Sequence, residues 1–123
     1  MDIFQVAEEE GFEIPGGYSL VVGLNLTNIA PWIILNKEAF EVMLDGISRR
    51  YPDQMVIPFA RRQDNDDVAC FATVRSPNAP SEIIIIHDFA SPGWEVSAKM
   101  ATFWDWFRLA VEEMIESHTT DSK

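Results

Sequence analysis

Four consecutive isoleucines, Ile83, Ile84, Ile85 and Ile86, place the tightest constraint on how this chain can fold. Successive side chains of a strand point to opposite faces, so an unbroken apolar run is buried on both. The stretch 82–89 therefore reads as a central strand covered on both sides, at least in part. Two more apolar runs precede it, 55–60 and 68–74, separated by Arg61-Arg62-Gln63-Asp64-Asn65-Asp66-Asp67. Asp and Asn side chains bond nearby backbone and tolerate left-handed conformations, so this polar segment predicts a hairpin tip. With Ser76-Pro77-Asn78-Ala79-Pro80 as the second connector, the three runs predict an antiparallel meander. Along 68–75, Val68, Cys70, Ala72 and Val74 share one face, and Ala69, Phe71 and Thr73 the other. Pro58 has no amide proton, which predicts that the first run lies at an edge or carries a bulge.

Helical spacing frames the meander. Residues 2–10 predict a short amphipathic helix with Ile3, Val6 and Ala7 on one side, stopped at Gly11. Residues 12–18 form a turn-rich connector. Over 19–26, alternating Leu20, Val22, Leu24 and Leu26 favour a strand, although Leu20, Val21 and Leu24 also suit a helical face. A loop over 27–32 leads to Ile33-Ile34-Leu35. Asn36 caps the next helix, whose stripe is Ala39, Phe40, Met43, Leu44 and Ile47. Arg49 and Arg50 suit its C-terminal end, and Pro52 closes it. After a turn at 90–93, Ser97 is expected to cap a last helix over 98–117 with the stripe Met100, Phe103, Trp104, Phe107, Val111, Met114 and Ile115. Trp106 falls off that stripe, and 118–123 reads as a polar tail. The expected fold is α+β: one domain over 1–117, a mostly antiparallel sheet packed by helices, and a long amphipathic C-terminal helix.

The chain's 20 acidic and 9 basic residues give a net charge of -11. Such a chain repels phosphate backbones, so no nucleic-acid ligand is expected, and a basic protein partner is favoured through its association rate. Cys70 is the single cysteine, which rules out an internal disulfide. The acidic start is unlike a signal peptide, and no apolar run reaches membrane-spanning length, so no membrane association and a cytoplasmic location are expected.

The sequence has no P-loop, Gly-x-Gly-x-x-Gly, Gly-x-Ser-x-Gly or Cys-x-x-Cys pattern. His87 and Asp88, with Asp64, Asp66 and Asp67, suggest at first a metal or hydrolase site. The other histidine, His118, lies in the tail, and the acidic run lacks the glycine and distal glutamate of a calcium loop. The preferred reading is that His87 ends a strand and Asp88 starts a turn, with no metal, cofactor or catalytic residue. Cys70, inside an apolar strand, reads as a small buried hydrophobe.

Glu10-Gly11-Phe12-Glu13-Ile14-Pro15-Gly16-Gly17-Tyr18, Val56-Ile57-Pro58-Phe59-Ala60, Asp66-Asp67-Val68-Ala69-Cys70-Phe71, Ile86-His87-Asp88 and Phe103-Trp104-Asp105-Trp106-Phe107 follow one another in an order that resembles the SUKH superfamily, also called the Smi–Knr family. The first resembles its early Leu-Pro-x-x-Tyr element. The second and third resemble two of its strands. The last two resemble its late strand and closing aromatic helix. The segment 19–35 departs from the family pattern in lacking a clear Asn-Gly turn and long second helix. The resemblance implies a non-enzymatic domain, either an immunity protein that binds a cognate toxin domain, often a nuclease, or a regulator acting through protein contacts. It does not supply the binding residues. Those expected to reach a basic partner are the loop acids Asp64, Asp66, Asp67, Asp88 and Glu95, together with Trp94.

Overall fold

The computed structural model describes residues 1–72, 82–91 and 93–119. Among them the elements run α1 (Ile3–Glu9), α2 (Gly16–Gly23), β1 (Asn28–Ile29), β2 (Trp32–Ile34), α3 (Lys37–Arg50), β3 (Val56–Arg62), β4 (Asp67–Ala72), β5 (Glu82–His87), β6 (Val96–Met100) and α4 (Phe103–Thr119). The strands form one antiparallel sheet in chain order, β1 to β6, so the fold is α+β. No described helix is long and apolar enough to cross a membrane. Residues 73–75 of the expected second strand, the connector 76–80, Pro92 of the turn and residues 120–123 of the tail lie outside the described residues.

The isoleucine run behaves as its pattern requires. β5 lies between β4 and β6, and its four isoleucines are buried. Ile83 and Ile85 join Ala69 and Phe71 of β4 in one core, while Ile84 and Ile86 join Val68, Cys70 and Ala72 in a second on the opposite face. β3 is interior rather than at an edge, and it meets the Pro58 constraint by a bulge. Pro58 pairs with Cys70 and Ala60 with Ala69, leaving Phe59 as the extra residue. Phe59 uses that freedom to stack on Phe71, with ring centroids 4.2 Å apart and planes 17° from parallel.

The first core lies under α1, α2 and α4. α1 buries Ile3, Val6 and Ala7 as its spacing predicts, and Asp2 and Gln5 close a reciprocal capping box. Tyr18 of α2 packs edge-on against Phe71 at 5.7 Å, and Trp106 of α4 packs edge-on against Phe59 at 4.8 Å. Gly17 permits this approach: a Cβ there would lie 2.9 Å from both the Phe103 and Trp104 rings. α3 is capped by the Asn36 side chain on the Ala39 amide. Phe40 of α3 is buried with the first core, and Ile47, followed by Tyr51, with the second.

Several expectations change. The segment assigned to a strand over 19–26 is largely α2. It buries Tyr18 and Val21 and leaves Leu20 and Leu24 exposed, so the alternating leucines were not the buried set. The loop expected at 27–32 contains β1 and the first residue of β2, joined through a cis Ala30–Pro31 bond, with Trp32 buried. Residues 96–100 form β6 rather than the start of the last helix, because pairing with the β5 edge outweighs the helix preference of Ala98 and Lys99. The Ser97 hydroxyl donates to the Ile85 carbonyl, and the side chain accepting the α4 cap bond is Thr102, from the Asp105 amide. α4 also extends through His118 and Thr119, which were expected in the tail.

The later start of α4 changes its buried stripe to Phe103, Trp106 and Ala110. Trp106 is fully buried and Trp104 is 39% exposed, the reverse of the expected order. Trp106→Ala should therefore cost about 3–5 kcal/mol, and Trp104→Ala no more than about half of that, in urea unfolding followed by circular dichroism. Equal losses would show that the helix is rotated from the position described.

Candidate functional site

The last turns of α3, the β3–β4 hairpin and the turn after β5 meet on the second face of the sheet. Gly46 sits mid-helix, where glycine is costly, and a Cβ there would come within 2.9 Å of the Arg50 guanidinium. Arg50 uses this space to lie across α3 and grip Asp88, through Nε to Oδ1 at 2.7 Å and Nη2 to Oδ2 at 2.5 Å. Asp88 is 4% exposed, and its Oδ1 also accepts the Phe89 amide at 2.9 Å. The Asp88 amide donates to the Asp66 carbonyl at 2.9 Å, which ties the β5 turn to the hairpin tip.

Phe89 follows with φ +63°, in the left-handed region that a bulky side chain rarely adopts. Its ring is 69% exposed, and the Arg50 guanidinium carbon lies 4.4 Å from its centroid. Trp94, on the same β5–β6 connection, is 80% exposed. Glu95 anchors that connection from inside. It is buried, and its carboxylate accepts the Gly93 amide at 2.7 Å and the Gln54 side chain at 3.2 Å. Hydrogen bonds from its own amide and from Gln54 hold the carboxyl below the usual glutamate range.

Of the acids expected to reach a partner, Asp66 and Asp64 are exposed, whereas Asp88 and Glu95 are turned inward. Asp64 is held by Arg62 at 2.6 Å, which lowers its pKa. Asp67, half-buried, accepts from the His87 Nδ1 at 2.8 Å. Arg62 also pairs with Glu113 of α4, which accepts the Trp32 indole at 3.3 Å. His87 is the last residue of β5 and Asp88 begins the turn, as expected. Cys70 is fully buried, and burial raises its thiol pKa. Among the described residues, no three His, Cys, Asp or Glu side chains group closely enough to hold a metal ion.

Between α3 and the hairpin lies an open cleft of about 460 Å³, lined by residues that include Val42, Met43, Arg49, Arg61, Asp66 and Phe89. Asp67 and Asp88 also line it, whereas Asp64, Trp94 and Glu95 do not. The sequence reading missed Phe89, which it took as the end of the strand run, and the cleft arginines, which it took as helix and hairpin charges. The available signal was Phe89 itself, a large apolar residue placed between Asp88 and the turn-forming Ala-Ser-Pro-Gly. No protein-family model, curated protein or solved structure matches the chain.

Two outcomes follow from this geometry. Gly46→Ala should destabilise the wild-type chain in urea unfolding by displacing Arg50 from Asp88. In an Arg50→Gln background the same change should stabilise it by about 1 kcal/mol, the ordinary helix gain. The hydrogen bond to Asp67, reinforced by nearby acids, raises the His87 pKa. A raised folded pKa stabilises below the unfolded value, and that contribution is lost as pH rises through the folded value. NMR titration should place His87 above the ordinary imidazole range, and Asp67→Asn should bring it down.

Proposed function

We propose that this chain is a non-enzymatic protein-binding domain, an immunity protein that neutralises a basic toxin domain by stoichiometric binding in the cytoplasm. The observation that carries this reading is the exposed pair Phe89 and Trp94 on the β5–β6 connection. Large aromatics supply most of the binding energy at protein interfaces, yet folding gains little from leaving them in water. Phe89 carries the further cost of a left-handed backbone, held by Asp88 and Arg50. Strain retained at an exposed aromatic is expected of a residue placed for a partner.

The class of partner rests on two further supports. The net charge of -11 favours fast encounter with a basic surface such as a nuclease cleft. The motif order resembles the SUKH superfamily, whose bacterial members include immunity proteins. Asp64 and Asp66, exposed at the hairpin tip, are the predicted acids best placed to contribute to that field.

A tagged copy expressed in its own cells should capture the toxin domain of a large secreted protein in a one-to-one complex that weakens with salt. Phe89→Gly should weaken that complex at least about ten-fold while leaving stability unchanged or higher, since glycine relieves the positive φ. Trp94→Ala should weaken it similarly. Unchanged affinity in both variants would place the interface elsewhere. Capture of resident cytoplasmic proteins alone would favour a regulatory module.

A further inference from the structure

α4 carries a wider apolar side than the fold covers. The core takes Phe103, Trp106 and Ala110, while Trp104, Phe107, Val111 and Ile115 follow one another at helical spacing along its flank. Gly17 fixes where that flank points. A Cβ on it would lie 2.9 Å from the Trp104 ring, so this side of α4 looks towards α2. Leu20 and Leu24 stand three and seven residues beyond Gly17 and continue the same side of α2 and its C-cap. Leu20, Leu24, Trp104 and Ile115 are between 39% and 60% exposed, so the two helices present an apolar ridge to solvent. α2 adds no charge to it, since no charged residue lies between Glu13 and Lys37. The ridge lies over the first core, whereas Arg50 and Phe89 meet on the other face of the sheet.

We propose that this ridge is the contact between two copies of the chain, packed about a two-fold axis with their α4 helices antiparallel. A two-fold pair needs a surface that complements itself, and α4 supplies one. Setting Trp104 of each copy against Ile115 of the other also brings Arg108 of each beside Glu112 of the other. Arg108 is the only Lys or Arg in α4, and its 3.8 Å contact with Asp105 joins two exposed side chains, a pair worth little. Glu112 is exposed and forms no ion pair among the described residues. The two cross-copy pairs therefore use charges the fold leaves free, and they offset part of the repulsion between two chains of net charge -11. The basic partner proposed above is drawn by acids, which α2 lacks, so a second copy fits this ridge better. The four exposed side chains amount to roughly 400 Å² per copy, at about 100 Å² each. The half-buried Phe107 and Val111 and the Arg108 stem extend this towards the about 800 Å² per partner of a standard interface. An area at that lower end gives a reversible dimer of micromolar affinity.

Sedimentation equilibrium of the full chain, from about 10 μM to about 1 mM, tests this without any toxin. The average mass should rise from 14.0 kDa towards twice that value. Added salt should strengthen the dimer, because it screens the repulsion between two strongly acidic chains more than it weakens two ion pairs. The proposed toxin complex weakens with salt, so the two readings fail separately. Ile115→Asp should hold the chain at 14.0 kDa throughout, with an unchanged circular dichroism spectrum because Ile115 is exposed. Arg108→Glu should weaken the dimer about ten-fold, and adding Glu112→Arg should restore it. A mass of 14.0 kDa at every concentration and salt would overturn the proposal and leave the ridge to another protein. So would a dimer that survives Ile115→Asp, or one that weakens in Arg108→Glu and does not recover in the double variant.

Discussion

Burial of β5 on both faces is the constraint from which the rest of the architecture follows. An antiparallel sheet with one dry face needs helices on that side only. Ile84 and Ile86 make the second face apolar as well, and Ile47 of α3 and Tyr51 cover it. α3 cannot fulfil this while staying wholly on the first face, so it begins against the first core at Phe40 and ends on the second. That passage brings its last turns beside the hairpin and leaves the arginine-lined cleft between them.

The same turns of α3 also supply the one cation that Asp88 requires. A carboxylate 4% exposed is unfavourable unless paired and hydrogen-bonded, and Asp88 receives both guanidinium bonds and the Phe89 amide. Removing the partner from a fully buried pair costs about 3–5 kcal/mol. Arg50 keeps about a third of its side chain in water, so the loss here is smaller. What the pair contributes besides stability is geometry. It fixes the turn after β5, fixes the guanidinium under the Phe89 ring, and so holds an exposed aromatic in a conformation it would otherwise leave.

Much of this was legible from periodicity. α1, α3, the hairpin and the alternation along β4 follow from apolar spacing plus Asn36, Gly11 and the Asp/Asn tip. α2 did not, because residues 14–36 contain no charged side chain to mark a solvent face, and hydrophobicity in every direction fits helix and strand alike. β6 did not, because a five-residue edge strand takes its identity from the β5 backbone it pairs with, not from Ser97, Ala98 or Lys99. The exchange of Trp104 for Trp106 follows from that single miss, since a helix read from 98 and one that begins at Phe103 present different stripes. The candidate site was legible only in outline. Asp66 and Trp94 are where a loop residue should be, but whether Asp88 or Glu95 faces water depends on Arg50, Gln54 and the Gly93 amide, none of which sequence spacing connects to them.

Charge placement separates what stabilises this fold from what remains on its surface. Glu8, Glu9 and Glu10 crowd the C-terminal end of α1, and the exposed Glu112 and Glu116 lie in the C-terminal half of α4. Acids at a helix C-terminus oppose the macrodipole, so these add little to helix stability and much to the external field. The arginines are distributed by the opposite rule. Arg50 and Arg62 neutralise acids that folding has drawn inward, and Arg49 and Arg61 line the cleft together with Asp45 and Asp66.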